Sequence, residues 1–301
     1  MTALRGYRRS DGSVGARNHV LVLPSVVCAD QTAALISEAG AIAVVHQHGC
    51  GQVGDDVTFT ERAFVGFASN PNVGGCLVVS LGCETIQGRG VAHLIAGRGQ
   101  RVEFTGIQLM GGTVDTVDDG RARVNRLSEL LAIEDRAAAS FGALTVGIET
   151  SPATLDRAFA VADAAMATGA RAVIAVSETY RGHREVERIR YGERASSQMA
   201  AVEHAGDGAE QHVGLAGAAA QVIVSIREGW QAPVGCAIAP VIAVAGNQAM
   251  YEALEDDFDL GPSASADEIF QRCVAAFNGD PTASERRGAR DFILRRIART
   301  M

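Results

Sequence analysis

The sequence predicts an α/β fold made of two Rossmann-like parallel-sheet units with helices on both faces. Short apolar runs rich in Val and Ile alternate along the chain with Ala-rich segments of helical period. This alternation is typical of a parallel sheet covered by helices. The 301 residues, of which 47% are hydrophobic, are enough for two domains with substantial cores.

The elements follow one another in that alternation. The predicted strands are His19–Leu23, Ala41–Val45, Cys76–Ser80, Arg101–Ile107, Leu144–Ile148, Ala172–Val176, Gln221–Ser225 and Pro240–Val244. The predicted helices are Asp30–Glu38, Thr58–Phe67, Gly90–Ala96, Asp119–Ser140, Pro152–Thr168, Asn247–Leu254, Ala266–Phe277 and Ser284–Arg299. The polar segment Gly192–Gly214, rich in Gly and Ala, is predicted to be a loop with one short helix.

A domain boundary is predicted at the end of the long helix Asp119–Ser140. This helix is strongly charged on one side, and Phe141-Gly142 directly after it is a plausible stop signal. We therefore expect an N-terminal domain of residues 1–141 and a C-terminal domain of residues 142–301.

The composition excludes several classes of function. All 27 basic residues are Arg, since the sequence contains no Lys. Schiff-base aldolases, pyridoxal-phosphate enzymes and P-loop phosphate sites all need a lysine and are excluded. The net charge of -8 argues against a nucleic-acid partner. Small molecules are therefore the expected partners.

No apolar run predicts a signal peptide or a membrane span, so we expect a cytoplasmic protein that makes no membrane contact. The six cysteines contain no CxxC pair, which excludes a zinc ribbon, and reduced thiols are expected. Cys76, Cys236 and Cys273 are expected to be small buried apolar residues. For Cys28 the sequence leaves the buried and the functional roles equally open.

The densest group of candidate functional residues follows the strand Ala41–Val45. His46 and His48 lie two residues apart and point to the same side of an extended segment, and Cys50 adds a thiol on that side. Such a donor set suits a transition metal. The alternative is a solvated polar loop. Cys83 and Glu84 end another predicted strand, and both segments are expected to meet at one crevice.

Three predicted strands end in the same Glu-Thr pair, at Glu84, Glu149 and Glu178. Carboxylates at the carboxyl ends of parallel strands lie where open α/β sheets bind their ligands. The alternative is structural, because Thr can cap the next helix and Glu favours its first turn. Three occurrences in register favour a functional role.

Other polar segments carry weaker signals. The turn Gly111-Gly112-Thr113 either presents backbone amides to a carboxylate or phosphate, or is a plain turn. Asp30 is predicted to cap the helix that follows the first strand. A basic cluster follows Glu178 and either binds an acidic substrate or, as we expect, forms an exposed helical face: Arg181, His183, Arg184, Arg188 and Arg190. Four other histidines have no supporting context: His19, His93, His204 and His212.

Several segments together resemble the altronate/D-galactarate dehydratase family, also called altronate hydrolases, to which the large subunit of sulfolactate sulfo-lyase is related. The likeness is specific over the first 120 residues or so and weaker beyond them. It rests on residues 6–12 with 14–18, 23–28, 46–51, 70–74, 78–84, Ile107-Gln108, 111–113, Ser177-Glu178-Thr179, 240–247, Tyr251 and 256–259.

The resemblance implies a hydro-lyase that dehydrates a sugar acid, an aldonate or aldarate, to a 2-keto-3-deoxy acid with a divalent metal, expected to be Fe²⁺. Removing a proton next to a carboxylate requires a base and stabilisation of the enediolate, and loss of the hydroxyl requires an acid. The expected metal ligands are His46, His48, Cys50 and Cys83. The expected acid–base residues are His46, His48, Glu84, Glu149 and Glu178. The expected substrate-binding residues are Arg17, Asn18, Gly111, Gly112 and Thr113.

The chain also departs from the family pattern. It lacks the Cys- and Gly-rich stretch after the strand Leu144–Ile148 and a Gly-Asn-Lys segment. The family's small N-terminal domain is also expected to be missing. A separate small subunit that supplies this domain is therefore an expected partner, and a homo-oligomer is possible. Two alternatives stay open: a sulfo-lyase acting on a sulfonated hydroxy-acid, and a non-catalytic ligand-binding or regulatory subunit derived from the dehydratases.

Overall fold

The computed structural model describes residues 3–176, 184–203 and 208–296. The strands are β1 (Leu4–Arg8), β2 (Val14–Gly15), β3 (His19–Pro24), β4 (Ile42–Ala43), β5 (Val73–Ser80), β6 (Val102–Gly106), β7 (Ala137–Ala139), β8 (Thr145–Ile148), β9 (Arg171–Val176), β10 (Glu187–Ile189), β11 (Met199–Glu203), β12 (Val222–Ile226) and β13 (Val241–Val244). The helices are α1 (Asp30–Ser37), α2 (Asp55–Ala68), α3 (Gly88–Gly97), α4 (Ile107–Met110), α5 (Thr113–Ala132), α6 (Leu155–Met166), α7 (Ala209–Gly217), α8 (Gln248–Ala253), α9 (Ala266–Phe277) and α10 (Ala283–Arg286).

Two parallel sheets form the framework and confirm the predicted α/β class. One sheet has four strands in the order β4-β3-β5-β6, and the other has six in the order β10-β11-β9-β8-β12-β13. A third, antiparallel sheet joins β2, β1 and β7. The division into domains 1–141 and 142–301 stays a prediction.

Each parallel sheet is covered on both faces, as the alternating pattern predicts. In the four-stranded sheet α1 and α5 pack on one face, and α2 and α3 pack on the other. In the six-stranded sheet α6 and α9 cover one face and α7 covers the other. Helices α2 and α7 pack against each other, which gives the two sheets a shared core.

Two asparagines tie the sheets together through backbone groups. Asn70 donates from its side chain to the carbonyls of Ala216 and Ala220, at 2.7 and 2.8 Å. Asn72, fully buried, accepts from the backbone N–H of Ala16 at 2.8 Å and donates to two carbonyls of the C-terminal half, those of Gln221 and Ile238, at 2.9 and 3.0 Å. These bonds give buried backbone groups of both halves of the chain a polar side-chain partner.

Most predicted elements are confirmed with small changes at their ends, but three predictions are wrong. Helix α5 ends at Ala132, and Ala137–Ala139 pair with β1 instead, because strand pairing overrides the helix propensity of Ala. The last predicted helix is reduced to α10, and Gly288, at φ 69°, follows it in the left-handed region. The segment Gly192–Gly214 contains the start of a short helix, α7, as predicted, but it also contains the strand β11, which was not predicted.

No helix in the described ranges is long and apolar enough to cross a membrane.

Replacing Asn72 by Ala should destabilise the protein by about 3–5 kcal/mol, because several buried backbone groups lose their partner at once. Urea unfolding measures the difference. Asn125→Ala is the control, since Asn125 is exposed within α5 and its replacement should change stability by less than about 0.5 kcal/mol. Equal stability of the two variants would contradict the role given to Asn72.

Candidate functional site

Three loops meet at the carboxyl edge of the four-stranded sheet, and Gly49 is the point at which they touch. The backbone N–H of Val27, after β3, donates to the carbonyl of His48 at 2.9 Å. The N–H of Thr85, after β5, donates to the carbonyl of Gly49 at 3.0 Å. The His46–Cys50 and Cys83–Glu84 segments therefore meet at this edge, as predicted. That they share one crevice stays a prediction. We call these contacts the Gly49 junction.

Only glycine fits at the centre of this junction. Gly49 has φ 93°, in the left-handed region. A Cβ atom there would lie 2.2 Å from the carbonyl oxygen of Ser25. The conformation and the close approach together explain a glycine between His48 and Cys50.

His46 is buried and its ring is fully hydrogen-bonded. Nε2 lies 2.8 Å from the carbonyl oxygen of Pro24, and Nδ1 lies 3.2 Å from the backbone nitrogen of His48. A carbonyl only accepts, so the contacts assign the proton to Nε2 and leave Nδ1 as the acceptor. Burial lowers the pKa of His46 to about 4, against the opposing effect of the Pro24 hydrogen bond. The ring is therefore neutral at physiological pH.

His48 is also buried and is oriented by Gln52. The side-chain amide of Gln52 lies 3.2 Å from Nδ1 of His48, and its carbonyl oxygen accepts from the N–H of Gly49 at 2.8 Å. The Gln52 amide donates to Nδ1, which places the ring proton of a neutral His48 on Nε2. Burial lowers the pKa of His48, while a backbone hydrogen bond with Leu294 opposes the shift.

A cavity of about 490 Å³ lies beside both imidazoles. Its lining also includes Asp30, the apolar side chains of Val27 and Val45, and a C-terminal segment that runs past His48. Phe292 of this segment packs edge-on against Phe67, with ring centroids 4.7 Å apart. The segment, residues 289–296, has no regular secondary structure and forms one wall of the cavity.

Asp30 is a functional candidate that sequence reasoning took only for a helix cap. It is the first residue of α1, and Oδ2 accepts from the N–H of His46 at 2.9 Å. Oδ1 is buried and has no hydrogen-bond partner among the described residues. Burial raises the pKa of Asp30 to about 6, and the bond from His46 only partly offsets it. Asp30 is therefore more basic than an ordinary carboxylate.

Glu84 lies at the same edge but is committed to structure. Its carboxylate accepts from the N–H of Gly82 at 2.5 Å, from the hydroxyl of Ser25 at 3.0 Å and from the N–H of Gly88 at 3.3 Å. Gly88 is the first residue of α3, so this glutamate stabilises the helix start as well as the loop. The structural alternative named for the Glu-Thr pairs therefore applies at this position.

The four predicted metal ligands do not form a single-ion site in this arrangement. Both nitrogens of His46 are already hydrogen-bonded, whereas Cys50 and Cys83 are exposed. Within the described ranges, no three His, Cys, Asp or Glu side chains form a group that could hold one metal ion. The two histidines and two cysteines, as they are arranged here, therefore do not fit a single Fe²⁺ ion.

A second cluster lies at the carboxyl edge of the six-stranded sheet, around the buried carboxylate of Glu149. It accepts from Arg227 at 2.6 Å, from the N–H of Gly208 at 2.9 Å and from the Ser225 hydroxyl, and lies 3.0 Å from Nε2 of His212. Burial alone would raise its pKa, but the bonds and charges of His212 and Arg227 outweigh burial and lower it to about 2.

His212 is fully buried in this cluster. Its Nδ1 lies 2.9 Å from the carbonyl oxygen of Gly235, and its Nε2 lies 3.0 Å from the Glu149 carboxylate. Glu149 is therefore held by the Arg227 guanidinium and the His212 ring together, which suits an anchoring role better than proton transfer.

The remaining predicted residues that the structure describes are not brought to the cavity. Arg17 and Asn18 precede β3 and so lie at the opposite edge of the sheet: Arg17 pairs with Glu285 at 2.7 and 2.8 Å, and Asn18 accepts from Arg9 at 2.8 Å. Gly111, Gly112 and Thr113 follow β6 at the carboxyl edge, where both glycines have positive φ and Thr113 begins α5. Glu178, Arg181 and His183 lie outside the described residues.

Sequence reasoning missed Asp30, His212 and Arg227. Ser225 and Arg227 stand at the end of β12, so the rule applied to the Glu-Thr pairs would have found them. His212 has no comparable signal, because it lies on a helix that was partly assigned to a loop. The C-terminal segment was hidden by its helix-like pattern.

Replacing Glu149 by Gln should destabilise the protein by about 3–5 kcal/mol at pH 7, since it leaves the buried guanidinium of Arg227 without its counter-charge. The pKa of Glu149 is lowered, so its stabilisation is present above the ordinary pKa of 4.5 and lost as the pH falls towards 2. Urea unfolding should show a difference in the free energy of unfolding between variant and wild type that is smaller at pH 3 than at pH 7. Glu252→Gln, at an exposed position, is the control. A stability difference between Glu149→Gln and wild type that does not change with pH would contradict the role given to Glu149.

Comparisons with known proteins agree with the likeness seen in the sequence. Residues 6–132 match the model "D-galactarate dehydratase/Altronate hydrolase, second domain", and residues 179–300 match "D-galactarate/Altronate dehydratase, C-terminal". The chain therefore consists mainly of two domains of one dehydratase family. It belongs to the D-galactarate dehydratase/altronate hydrolase family.

Three relatives illustrate the likeness. Altronate dehydratase of Bacillus subtilis is 37% identical over 92 residues, 27% of this chain and 18% of the relative. Altronate dehydratase of Escherichia coli is 28% identical over 156 residues, 48% of this chain and 31% of the relative. The (2R)-sulfolactate sulfo-lyase subunit beta of Chromohalobacter salexigens is 37% identical over 78 residues, 25% of this chain and 20% of the relative. The chain thus matches less than a third of the length of each.

Proposed function

We propose that this protein is a hydro-lyase that dehydrates a small acidic sugar derivative, an aldonate or aldarate, to a 2-keto-3-deoxy acid. The observation that carries the proposal is the cavity at the Gly49 junction. It places the basic carboxylate of Asp30 beside the neutral imidazole of His48, within the segment that matches the family's second domain.

Dehydration begins with removal of the proton next to the substrate carboxylate. Asp30 is our candidate base, because its Oδ1 has no partner among the described residues and its pKa is raised to about 6. At neutral pH most of it is ionised, yet it accepts a proton more readily than an exposed aspartate does. His46 positions it through the 2.9 Å backbone bond.

Departure of the β-hydroxyl requires a proton donor. His48 is the candidate, since it lines the cavity and Gln52 holds its neutral ring with the proton on Nε2. In the reaction the substrate hydroxyl would replace the Leu294 backbone group as the partner of that proton. Glu84 and Glu149 are less suited to either step, because their oxygens are occupied by structural hydrogen bonds. The expected Fe²⁺ stays a prediction, and no step is derived through it.

The test is formation of a 2-keto-3-deoxy acid by the purified chain from a panel of aldonates and aldarates, with Fe²⁺ and without oxygen. Asp30→Asn should lower kcat by about 10²–10⁴-fold, the usual contribution of a general base. Asp135→Asn, at an exposed position after α5, should leave kcat within about threefold. No turnover on any substrate, or full activity of Asp30→Asn, would contradict the proposal.

A second candidate function is elimination of sulfite from a sulfonated hydroxy-acid. The likeness to a protein named as a sulfo-lyase subunit favours it, and that name also supports a separate small subunit as a partner. Sulfite release from sulfolactate, measured on the same preparation, distinguishes the two reactions. Activity that appears only when a small N-terminal domain is added would support a subunit role over an independent enzyme.

A further inference from the structure

The six cysteines divide into two sets by exposure. Cys76, Cys236 and Cys273 are buried, as expected from the sequence, and burial raises the pKa of each. The other three, Cys28, Cys50 and Cys83, are exposed. Free cysteine is normally among the most buried residue types, so three exposed thiols call for an explanation other than packing.

All three exposed thiols lie at one edge of one sheet. Cys28 follows β3, Cys50 lies in the loop after β4, and Cys83 follows β5. These strands are neighbours in the order β4-β3-β5, so their carboxyl ends are adjacent.

The Gly49 junction holds the three thiol-bearing loops together. Cys28 comes directly after Val27, whose N–H bonds to the carbonyl of His48 at 2.9 Å. Cys50 comes directly after Gly49, and Cys83 lies two residues before Thr85, whose N–H bonds to the Gly49 carbonyl at 3.0 Å. The backbone bonds therefore fix the mutual positions of the loops without using any thiol.

We propose that Cys28, Cys50 and Cys83 bind an iron–sulfur cluster. A single ion needs its donors around one point, and the described residues offer no such group. In a cluster each thiolate binds a different iron atom, so the thiols stand further apart. The cluster replaces the predicted ligand set of two histidines and two cysteines, in which His46 has no free nitrogen.

Three thiolates on a four-iron cluster leave one iron without a protein ligand. That open position would supply a Lewis acid for the hydroxyl that leaves the substrate. Cys28 directly follows Val27, which lines the cavity together with Asp30 and His48. The inference deepens the proposed function and rests on it for this role, whereas the binding of the cluster does not depend on turnover.

The experiment measures iron, acid-labile sulfide and visible absorption of the full chain, produced in iron-supplied cells and purified without oxygen. Wild type should contain about four irons and four sulfides per chain. Cys28→Ala, Cys50→Ala and Cys83→Ala should each lose most of the sulfide and the visible absorption. Cys273→Ala, the matched control at a buried site in α9, should keep both. Far-UV circular dichroism confirms that each variant is folded.

Iron without sulfide in wild type, or undiminished sulfide in Cys28→Ala, would overturn the inference. If wild type contains iron but no sulfide, and His48→Ala loses this iron, the inference is overturned in favour of a single iron ion bound by the predicted histidine and cysteine ligands. If the protein contains the cluster but forms no keto acid from any sugar acid, the proposed function is refuted and the cluster site is supported. If the protein turns over a sugar acid but contains no cluster, the cluster site is refuted and the proposed function is supported.

Discussion

The close approach of Gly49 to the backbone of Ser25 is the constraint on which the functional edge depends. A Cβ atom at this position would lie 2.2 Å from the Ser25 carbonyl oxygen, so the loop after β4 reaches the loop after β3 only with glycine there. The same residue accepts the hydrogen bond that holds the loop after β5. One backbone position thereby brings together both imidazoles, the carboxylate of Asp30 and three exposed thiols.

The C-terminal segment connects this edge with the Glu149 cluster in the other sheet. The carboxylate of Asp291 accepts from the N–H of Gly235 at 2.6 Å, and the carbonyl of Gly235 in turn faces His212. The next residue, Phe292, packs against the ring of His46 with centroids 6.1 Å apart. The buried charge cluster in the six-stranded sheet therefore fixes a wall of the cavity at the four-stranded sheet. Glu149 thus helps to position this wall without lining the cavity itself.

Much of the fold follows from local pattern, but the site depends on contacts between distant segments. Runs such as Cys76–Ser80 predict buried parallel strands because near-continuous apolar runs are typical of strands that are covered on both faces. The pairing of Ala137–Ala139 with β1 and the extended course of residues 289–296 leave no local signal, since tertiary contacts decide them. The motif from His46 to Cys50 lies at the Gly49 junction, and its two histidines line the cavity. The sequence does not show that Pro24 and the backbone of His48 occupy the ring of His46.

The most direct test of this account compares sugar-acid turnover in Gly49→Ala and Gly51→Ala. Both glycines have positive φ, at 93° and 63°, but only Gly49 has neighbouring atoms within 4 Å of the position a Cβ would take. The pair therefore separates the close approach from backbone strain. We expect kcat/KM to fall by about 10²-fold or more in Gly49→Ala, since small displacements of acid–base groups have effects of that size. Gly51→Ala should retain most of its activity. Equal activity of the two variants would contradict the claim that the Gly49 junction assembles the active site.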